Sequence, residues 1–120
     1  MPSHLTKTFV ILILFFIPLI GYGHVHLDNS SPKDNETLSE PPKAIKLWFS
    51  GNVESAWSKI EVKDSHGNRV DSGDVISINN DLKTLIVPLK NITSGQYKVR
   101  WNVVANDGHR IKGDLSFSVD

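Results

Sequence analysis

Apolar and polar residues alternate along most of this chain, and this pattern predicts β-strands, because successive side chains of a strand point to opposite faces. The strongest alternation covers residues 96–104, where Tyr97, Val99, Trp101 and Val103 share one face. No stretch keeps a helical period for more than two turns. Shorter alternating or apolar stretches lie at residues 45–49, 57–63, 84–87 and 115–119.

Polar and glycine-containing segments separate these stretches and predict turns and loops. About seven short strands at such spacing, in one small domain, indicate an all-β protein with a Greek-key, immunoglobulin-like β-sandwich. Residues 24–27 are expected to open an edge strand, and residues 69–70 and 75–78 to form short extended pieces. Turns or loops are expected at residues 29–32, 33–40, 64–68, 79–81, 91–94 and 106–109.

Residues 92–97 carry a further signal of this fold. Ile92, Gly95 and Tyr97 are spaced as in the tyrosine corner of immunoglobulin-like sandwiches, directly before the strongest predicted strand. The tyrosine hydroxyl is therefore expected to bond back to the loop backbone. Among the tryptophans, Trp101 is expected in the core. Trp48 and Trp57 are expected to be buried or half-buried, the alternative being that either lines the site or a partner surface.

The first 23 residues have a different pattern. A short polar start with Lys7 precedes an apolar run over residues 9–20, and small residues, Gly21 and Gly23, stand at positions −3 and −1 of a cut after Gly23. A membrane-spanning helix needs about 20 apolar residues, so this run is short for an anchor. We expect residues 1–23 to be a cleaved secretory signal peptide. An uncleaved anchor, or a cut after Gly21, is the alternative.

The composition of the remaining domain, residues 24–120, excludes several classes of protein. The whole chain has 13 basic and 13 acidic residues, and the leader holds one basic residue, Lys7, so the domain has 12 and 13. This balance lacks the basic excess of nucleic-acid-binding proteins. The absence of cysteine excludes disulfides, thiolate ligands and cysteine nucleophiles. The one methionine is Met1, so any metal site in the domain must use nitrogen and oxygen ligands.

A cut after Gly23 would make His24 a terminal residue that offers two nitrogens, its α-amine and its imidazole Nδ1. Asp107 and His109 are two residues apart, so in extended geometry they face one point at the end of a strand. Three nitrogens and one oxygen form a tetragonal set suited to Cu(II). Taken alone, the tripeptide at 107–109 is more often an ordinary β-turn. The metal interpretation requires the fold to bring the domain's first residues beside this loop.

His26 has two interpretations. It can share the side of His24 and either contact a metal ligand or act as an alternative ligand itself. As the third residue of the mature chain, it can also join the terminal amine and two backbone amides in a Cu(II) chelate that needs no folded protein. That chelate would compete with a site at Asp107 and His109. His66 is interpreted as a surface residue in a turn.

Several motifs occur along the predicted domain. They are His-Val-His-Leu at 24–27 with Ser-Pro at 31–32, the Leu-x-Phe-Ser-x-x-Val-Glu segment at 47–54, and the segments 95–104, 107–109 and 113–119. Through these motifs the domain resembles, over almost its whole length, the CopC family of periplasmic copper-binding proteins. The resemblance implies a cupredoxin-like β-sandwich in the periplasm that binds one Cu(II) ion per chain through His24, Asp107 and His109.

Two departures from the family pattern matter. Some members carry a methionine-rich Cu(I) site, and this domain has no methionine, so we expect Cu(II) only. Many relatives have an acidic residue where this chain has Gly51. Glu54 does match the pattern, and its carboxylate either accepts a hydrogen bond from a ligand imidazole or is a solvated charge.

Three functions are compatible with these sequence features. The favoured one is a monomeric, non-enzymatic Cu(II) carrier or buffer in copper homeostasis or resistance, for which the resemblance implies a CopD-type inner-membrane partner. The second is a copper-dependent oxidative enzyme of the lytic polysaccharide monooxygenase type, which also uses a terminal histidine. Those enzymes usually add a second histidine and leave positions open for oxygen, whereas here Asp107 would fill one. The third is a metal-free β-sandwich interaction module.

Overall fold

The computed structural model describes residues 24–120, so the predicted leader lies outside the described residues. Within this range all regular structure is β, and no helix there is long and apolar enough to cross a membrane. The all-β prediction is confirmed, with eight strands rather than seven. The strands are β1 (Leu27–Ser31), β2 (Glu36–Leu38), β3 (Ala44–Phe49), β4 (Val53–Asp64), β5 (Ile76–Ile78), β6 (Asp81–Pro88), β7 (Gly95–Ala105) and β8 (Arg110–Val119).

The strands form two four-stranded sheets that face each other across one core. The first sheet has the order β1-β3-β6-β5, and the second has the order β2-β8-β7-β4. All neighbours are antiparallel except β2 and β8. The predicted sandwich is therefore confirmed. Its core consists of inward side chains from both sheets, the most deeply buried being Ile45, Leu47, Leu85, Val87, Ile60, Val62, Val99, Val103 and Phe117.

Two short polar strands differ from the prediction. Residues 33–40 were expected to be a loop, but β2 lies among them and pairs with the edge of β8. Residues 29–32 were expected to be a turn, yet β1 extends to Ser31 and pairs with β3. Both strands have little apolar alternation. They form because their backbones pair with the edge of a sheet, which does not require one apolar face. Residues 69–70 form only an isolated bridge between Lys63 and Arg69.

The long strand β4 contains a bulge that changes the environment of Trp57. Pairing with β7 shifts between Glu54 and Lys59, so four residues of β4 stand opposite one residue of β7. The Ser58 hydroxyl spans this bulge, since it donates to the Glu54 carbonyl at 2.7 Å and accepts from the Val104 N–H at 3.0 Å. Trp57 is 70% exposed, so its expected burial was wrong.

The other two tryptophans meet the expectation. Trp48 on β3 is half-buried. Trp101 packs against the core cluster, although it keeps partial exposure. Its indole lies directly over Gly113, its cross-strand partner on β8, where a side chain would collide with the ring.

Asp71, which follows the isolated bridge, is a buried carboxylate with a full set of donors. Its oxygens accept hydrogen bonds from the Arg69 guanidinium at 2.7 and 3.0 Å, from the Val62 N–H at 2.8 Å and from the Gly73 N–H at 2.9 Å. Burial by itself raises the pKa of Asp71, but these hydrogen bonds outweigh it and hold the pKa below its ordinary value. Asp71 thus ties the segment after β4 to the sheet as an anion.

The predicted tyrosine corner is present at the start of β7. The Tyr97 hydroxyl donates to the Thr93 carbonyl at 2.7 Å and accepts from the Thr93 N–H at 2.9 Å. The ring stacks on Phe117 of β8, with centroids 5.1 Å apart. The corner therefore fastens the loop before β7 to the core of the second sheet.

Replacing Tyr97 with Phe is expected to lower the free energy of unfolding by about 1 kcal/mol, because two hydrogen bonds are lost while the ring remains. Urea denaturation of the variant measures this loss. Thr93→Ala is the matched control, since it keeps the backbone atoms that Tyr97 contacts. Equal stability of the wild-type protein and Tyr97→Phe would contradict a structural role for the corner.

Candidate metal centre

The loop that carries Asp107 and His109 joins β7 to β8 and is closed at its base. The two strands pair without a break from Gly95 with Val119 to Val104 with Arg110. The Ala105 N–H then donates to the His109 carbonyl at 2.8 Å. Gly108 has a φ of +88°, a left-handed conformation that glycine adopts without steric cost. This pairing fixes the loop at one end of the sandwich.

Within the loop, Asp107 and His109 are bonded to each other. Asp107 Oδ1 accepts the backbone N–H of His109 at 3.0 Å, and Oδ2 lies 2.8 Å from His109 Nδ1. The backbone hydrogen bond and the imidazole contact hold the pKa of Asp107 below its ordinary value. A carboxylate on one ring nitrogen orients a histidine so that the other nitrogen can bind a metal ion. His109 Nε2 has no hydrogen-bond partner among residues 24–120.

The segment before β1 reaches this end of the sandwich because it pairs and packs on β3 and the turn after it. The His26 N–H donates to the Ser50 hydroxyl at 2.9 Å, and the Ser50 N–H donates to the His26 carbonyl at 2.8 Å. Val25 packs against the core, whereas His24 and His26 on either side of it are exposed. The chain thus enters β1 with both histidines on the solvent side.

Gly51 provides the space for Val25. A Cβ atom on Gly51 would lie 2.9 Å from Val25 Cγ2, closer than carbon atoms can pack. Here the missing side chain allows the first residues to lie close against the turn after β3.

The fold brings His24 beside the loop, as the metal interpretation requires. The rings of His24 and His109 meet edge to face, with centroids 5.7 Å apart and planes at 88°. A cavity of about 210 Å³ lies at this contact. It is lined by His24, Val25, Ala105, Asp107, His109, Arg110 and Ile111.

The three predicted ligands do not yet form a closed coordination sphere. Within the described range, no three histidine or carboxylate side chains are arranged to hold a metal ion as they stand. Asp107 is engaged with His109, and in the 120-residue chain the nitrogen of His24 is a peptide nitrogen. Coordination by the three predicted ligands would therefore require cleavage before His24. It would also require Asp107 Oδ2 to release His109 Nδ1 and bind the ion instead.

His26 is engaged elsewhere and does not line the cavity. Its Nε2 lies 2.9 Å from Asp28 Oδ1, and its Nδ1 lies 3.3 Å from the His24 carbonyl oxygen. Its backbone N–H is bonded to Ser50. A terminal chelate through the amide and Nδ1 of His26 would break the contacts with Ser50 and with the His24 carbonyl, so the folded state disfavours it.

Glu54 and His66 are not brought to the cavity. Glu54 is exposed on β4, and its carboxylate has no hydrogen-bond partner in the described part of the chain. A contact between Glu54 and a ligand imidazole stays a prediction. His66 is exposed in the turn after β4, as expected.

Two residues with a role at the site, Ser50 and Arg110, were not predicted from the sequence. Ser50 holds the first residues in place, and Arg110 lines the cavity while donating to Asn102 Oδ1 at 3.3 Å. Arg110 follows His109 directly, so its adjacency was the available signal. The role of Ser50 depends on strand pairing, for which the sequence has no local signal.

These features define a small β-sandwich with an imidazole-carboxylate cavity at one end. The chain belongs to the CopC family, since the CopC domain matches residues 27–120, which include Asp107 and His109. Its relatives include proteins named for copper resistance and for copper transport. The predicted family is thus confirmed, and with it a copper-related function.

Two relatives illustrate the match. The chain is 36% identical over 107 residues to copper resistance protein C of Xanthomonas campestris pv. juglandis, which covers 82% of each chain. It is 32% identical over 116 residues to copper transport protein CutJ of Bacillus subtilis (strain 168), which covers 94% of this chain. The match spans only 21% of CutJ, about a fifth of that protein.

Solved structures agree with the fold. The crystal structure of CopC from Methylosinus trichosporium OB3b superposes with a TM-score of 0.76 at 32% identity, covering 81% of this chain and 94% of that one. PcoC from Escherichia coli, described as a methionine-rich copper resistance protein, superposes with a TM-score of 0.70 at 25% identity, covering 81% and 99%.

Replacing Gly51 with Ala is expected to displace Val25 and to separate His24 from His109. The measurement is the nuclear Overhauser effect between the two imidazole rings, which should be lost in the variant. Stability should change little, because the displaced segment lies at the exposed start of the domain. Adding Val25→Ala removes the collision and should restore the signal. An unchanged signal in Gly51→Ala alone would contradict this role of Gly51.

Proposed function

We propose that the chain is an exported carrier or buffer of Cu(II), which holds one ion through His24, Asp107 and His109. The observation that carries this proposal is the meeting of His24 and His109, 5.7 Å apart between ring centroids, in a cavity that Asp107 also lines. Two segments distant in the sequence thus supply imidazole and carboxylate groups at one point. Neither segment would make a folded site alone.

The donor set favours Cu(II) over Cu(I). Cleavage after Gly23 frees the α-amine of His24, which joins its own Nδ1, the free Nε2 of His109 and the Asp107 carboxylate. Nitrogen and oxygen donors in a tetragonal set suit Cu(II), whereas Cu(I) prefers thioethers and thiolates. PcoC is described as methionine-rich, but this chain has no methionine after Met1.

The exposure of the site suits transfer of the ion rather than catalysis. The side chains of Asp107 and His109 are 58% and 70% exposed. A partner can therefore approach the ion and replace the ligands one at a time. We infer that the chain is not an enzyme, because the four donors fill the equatorial positions that an oxygen-activating copper centre leaves open.

The proposed partner is a CopD-type protein of the inner membrane. The segment of CutJ that matches this chain is a fifth of a protein named for copper transport, so a domain of this family occurs there together with a larger remainder. A separate chain would have to meet such a partner by docking. We place this meeting in the periplasm and expect the carrier to be a monomer.

The test is the affinity of the exported protein for Cu(II), measured by competition with a chelator, after an intact mass has established where the chain starts. The mass should correspond to a chain beginning at His24. Asp107→Ala/His109→Ala should lower the affinity at least about 100-fold, since it removes two of the four proposed donors, and loss of an outer partner alone costs about 10–100-fold. His66→Ala is the control for an exposed histidine and should not change the affinity.

Two results would contradict the proposal. A chain that begins elsewhere would lack the terminal amine of His24. Undiminished affinity in the double variant would assign copper to the terminal chelate through His26, and the folded site would then have no role in binding.

A further inference from the structure

The outer surface of the second sheet is strongly basic. Side chains that alternate with the core positions of β4, β7 and β8 project there, and six of them are cations. Together they represent half of the 12 basic residues of a domain whose formal charge is −1. We call this surface the basic face, which consists of Lys59, Lys63, Lys98, Arg100, Arg110 and Lys112.

Three carboxylates share this face, and two of them are already paired. The third, Glu54, stands in the same cross-strand row as Arg110 but forms no ion pair within residues 24–120. Glu61 lies 3.6 Å from Lys63 Nζ and 3.7 Å from Arg69 Nε, and Asp114 lies 3.9 Å from Lys98 Nζ. Within residues 24–120, no carboxylate lies at ion-pair distance from the remaining four cations of the face. The face therefore presents an excess of positive charge to solvent.

The cations are spread over the sheet rather than gathered at one point. The pairing of β4, β7 and β8 places Asn102 between Lys59 and Lys112, and Arg100 between Glu61 and Asp114. Adjacent strands lie about 4.8 Å apart, so these side chains form rows across a flat surface. The depression between them, about 450 Å³, is shallow and open. This layout fits an extended anionic surface better than a single small anion.

Trp57 lies at the margin of the basic face. It precedes Lys59 at the bulge of β4 and alternates with the buried Ser58 and Ile60, which assigns it to the outer side. Its 70% exposure is unusual for so large an apolar side chain. Tryptophan is favoured at the boundary between lipid headgroups and acyl chains, where one part of the ring is apolar and the indole N–H is solvated.

We propose that the basic face and Trp57 form a docking surface for an anionic lipid bilayer. Lysine supplies four of the six cations, and lysine is depleted in the cores of protein interfaces. Lysines spread beside one aromatic side chain instead match the attraction of basic segments to anionic headgroups. Arg110 belongs both to this face and to the cavity of His24, so docking would hold that cavity next to the membrane.

The docking itself needs no copper and does not rest on the proposed function. It is tested by cosedimentation of the exported protein with vesicles of phosphatidylglycerol and phosphatidylcholine, and with vesicles of phosphatidylcholine alone. Binding is expected only to the anionic vesicles, and it should disappear at high salt. Trp57 emission should shift to shorter wavelength on binding, and Trp57→Phe should lose this shift.

A matched pair of variants locates the surface. Lys59→Gln/Lys112→Gln is expected to weaken vesicle binding about tenfold or more, because each basic residue contributes substantially at an anionic surface. Lys46→Gln/Lys83→Gln removes two exposed charges from the other sheet and should have little effect. Both variants share whatever precedes His24, so the comparison reports the sheet face alone.

Three outcomes would overturn the proposal. The first is no binding to anionic vesicles at low salt. The second is an equal loss in both variants, which would show a dependence on total charge only. The third is binding to poly-glutamate without binding to vesicles, which would assign the face to an acidic protein partner.

Discussion

The uninterrupted pairing of β7 with β8 is the constraint on which the rest of the structure depends. It places Val99, Val103, Leu115 and Phe117 in the core and the basic residues on the opposite surface. It also determines where the chain turns, and thus where the loop of residues 106–109 stands. A slip of one residue would exchange the two faces of a strand, exposing the core and burying cations. Core, candidate site and basic face are thus consequences of one register.

A second, weaker constraint completes the candidate site. In the described chain, residues 24–26 make no backbone hydrogen bond to β7 or β8. They reach the loop because hydrogen bonds to Ser50 hold them beside β3, where the lack of a side chain on Gly51 leaves room for Val25. The contacts are few and exposed, so this half of the site depends on a short segment. Such an arrangement suits a carrier, because a ligand on an exposed terminal segment can leave copper without disturbing the core.

The long strands and the tyrosine corner could be predicted from the sequence because their signals are local. Alternation identified β7 and β8, and the spacing of Gly95 and Tyr97 identified the corner. The strand β2 and most of β1 could not be found in this way, because they are polar and owe their conformation to a neighbouring edge. Of the edge strand expected to open at residues 24–27, only Leu27 belongs to β1. The exposure of Trp57 depends on a bulge in β4, and no local sequence pattern predicts that bulge.

The candidate site likewise has a part with a local sequence signal and a part that depends on long-range pairing. Asp107 and His109 are two residues apart, so a shared direction was expected from extended geometry. They lie instead in a turn around Gly108, as in the β-turn alternative, and are bonded to each other. The approach of His24 depends on the pairing of distant strands, and only the resemblance to a family suggested it beforehand. The roles of Ser50 and Gly51 became visible with the structure. The bond from the His26 N–H to Ser50 is equally a result of the fold, and it opposes the competing chelate, which needs that amide nitrogen.

The most direct test of a folded copper site is electron paramagnetic resonance of the processed protein loaded with one equivalent of Cu(II). Spectra of the wild-type protein, His109→Ala and His26→Ala are compared. A folded site predicts a tetragonal signal with nitrogen couplings that His26→Ala leaves unchanged and His109→Ala alters. A spectrum that is insensitive to His109→Ala but changed by His26→Ala would contradict it and assign the ion to the chain terminus alone.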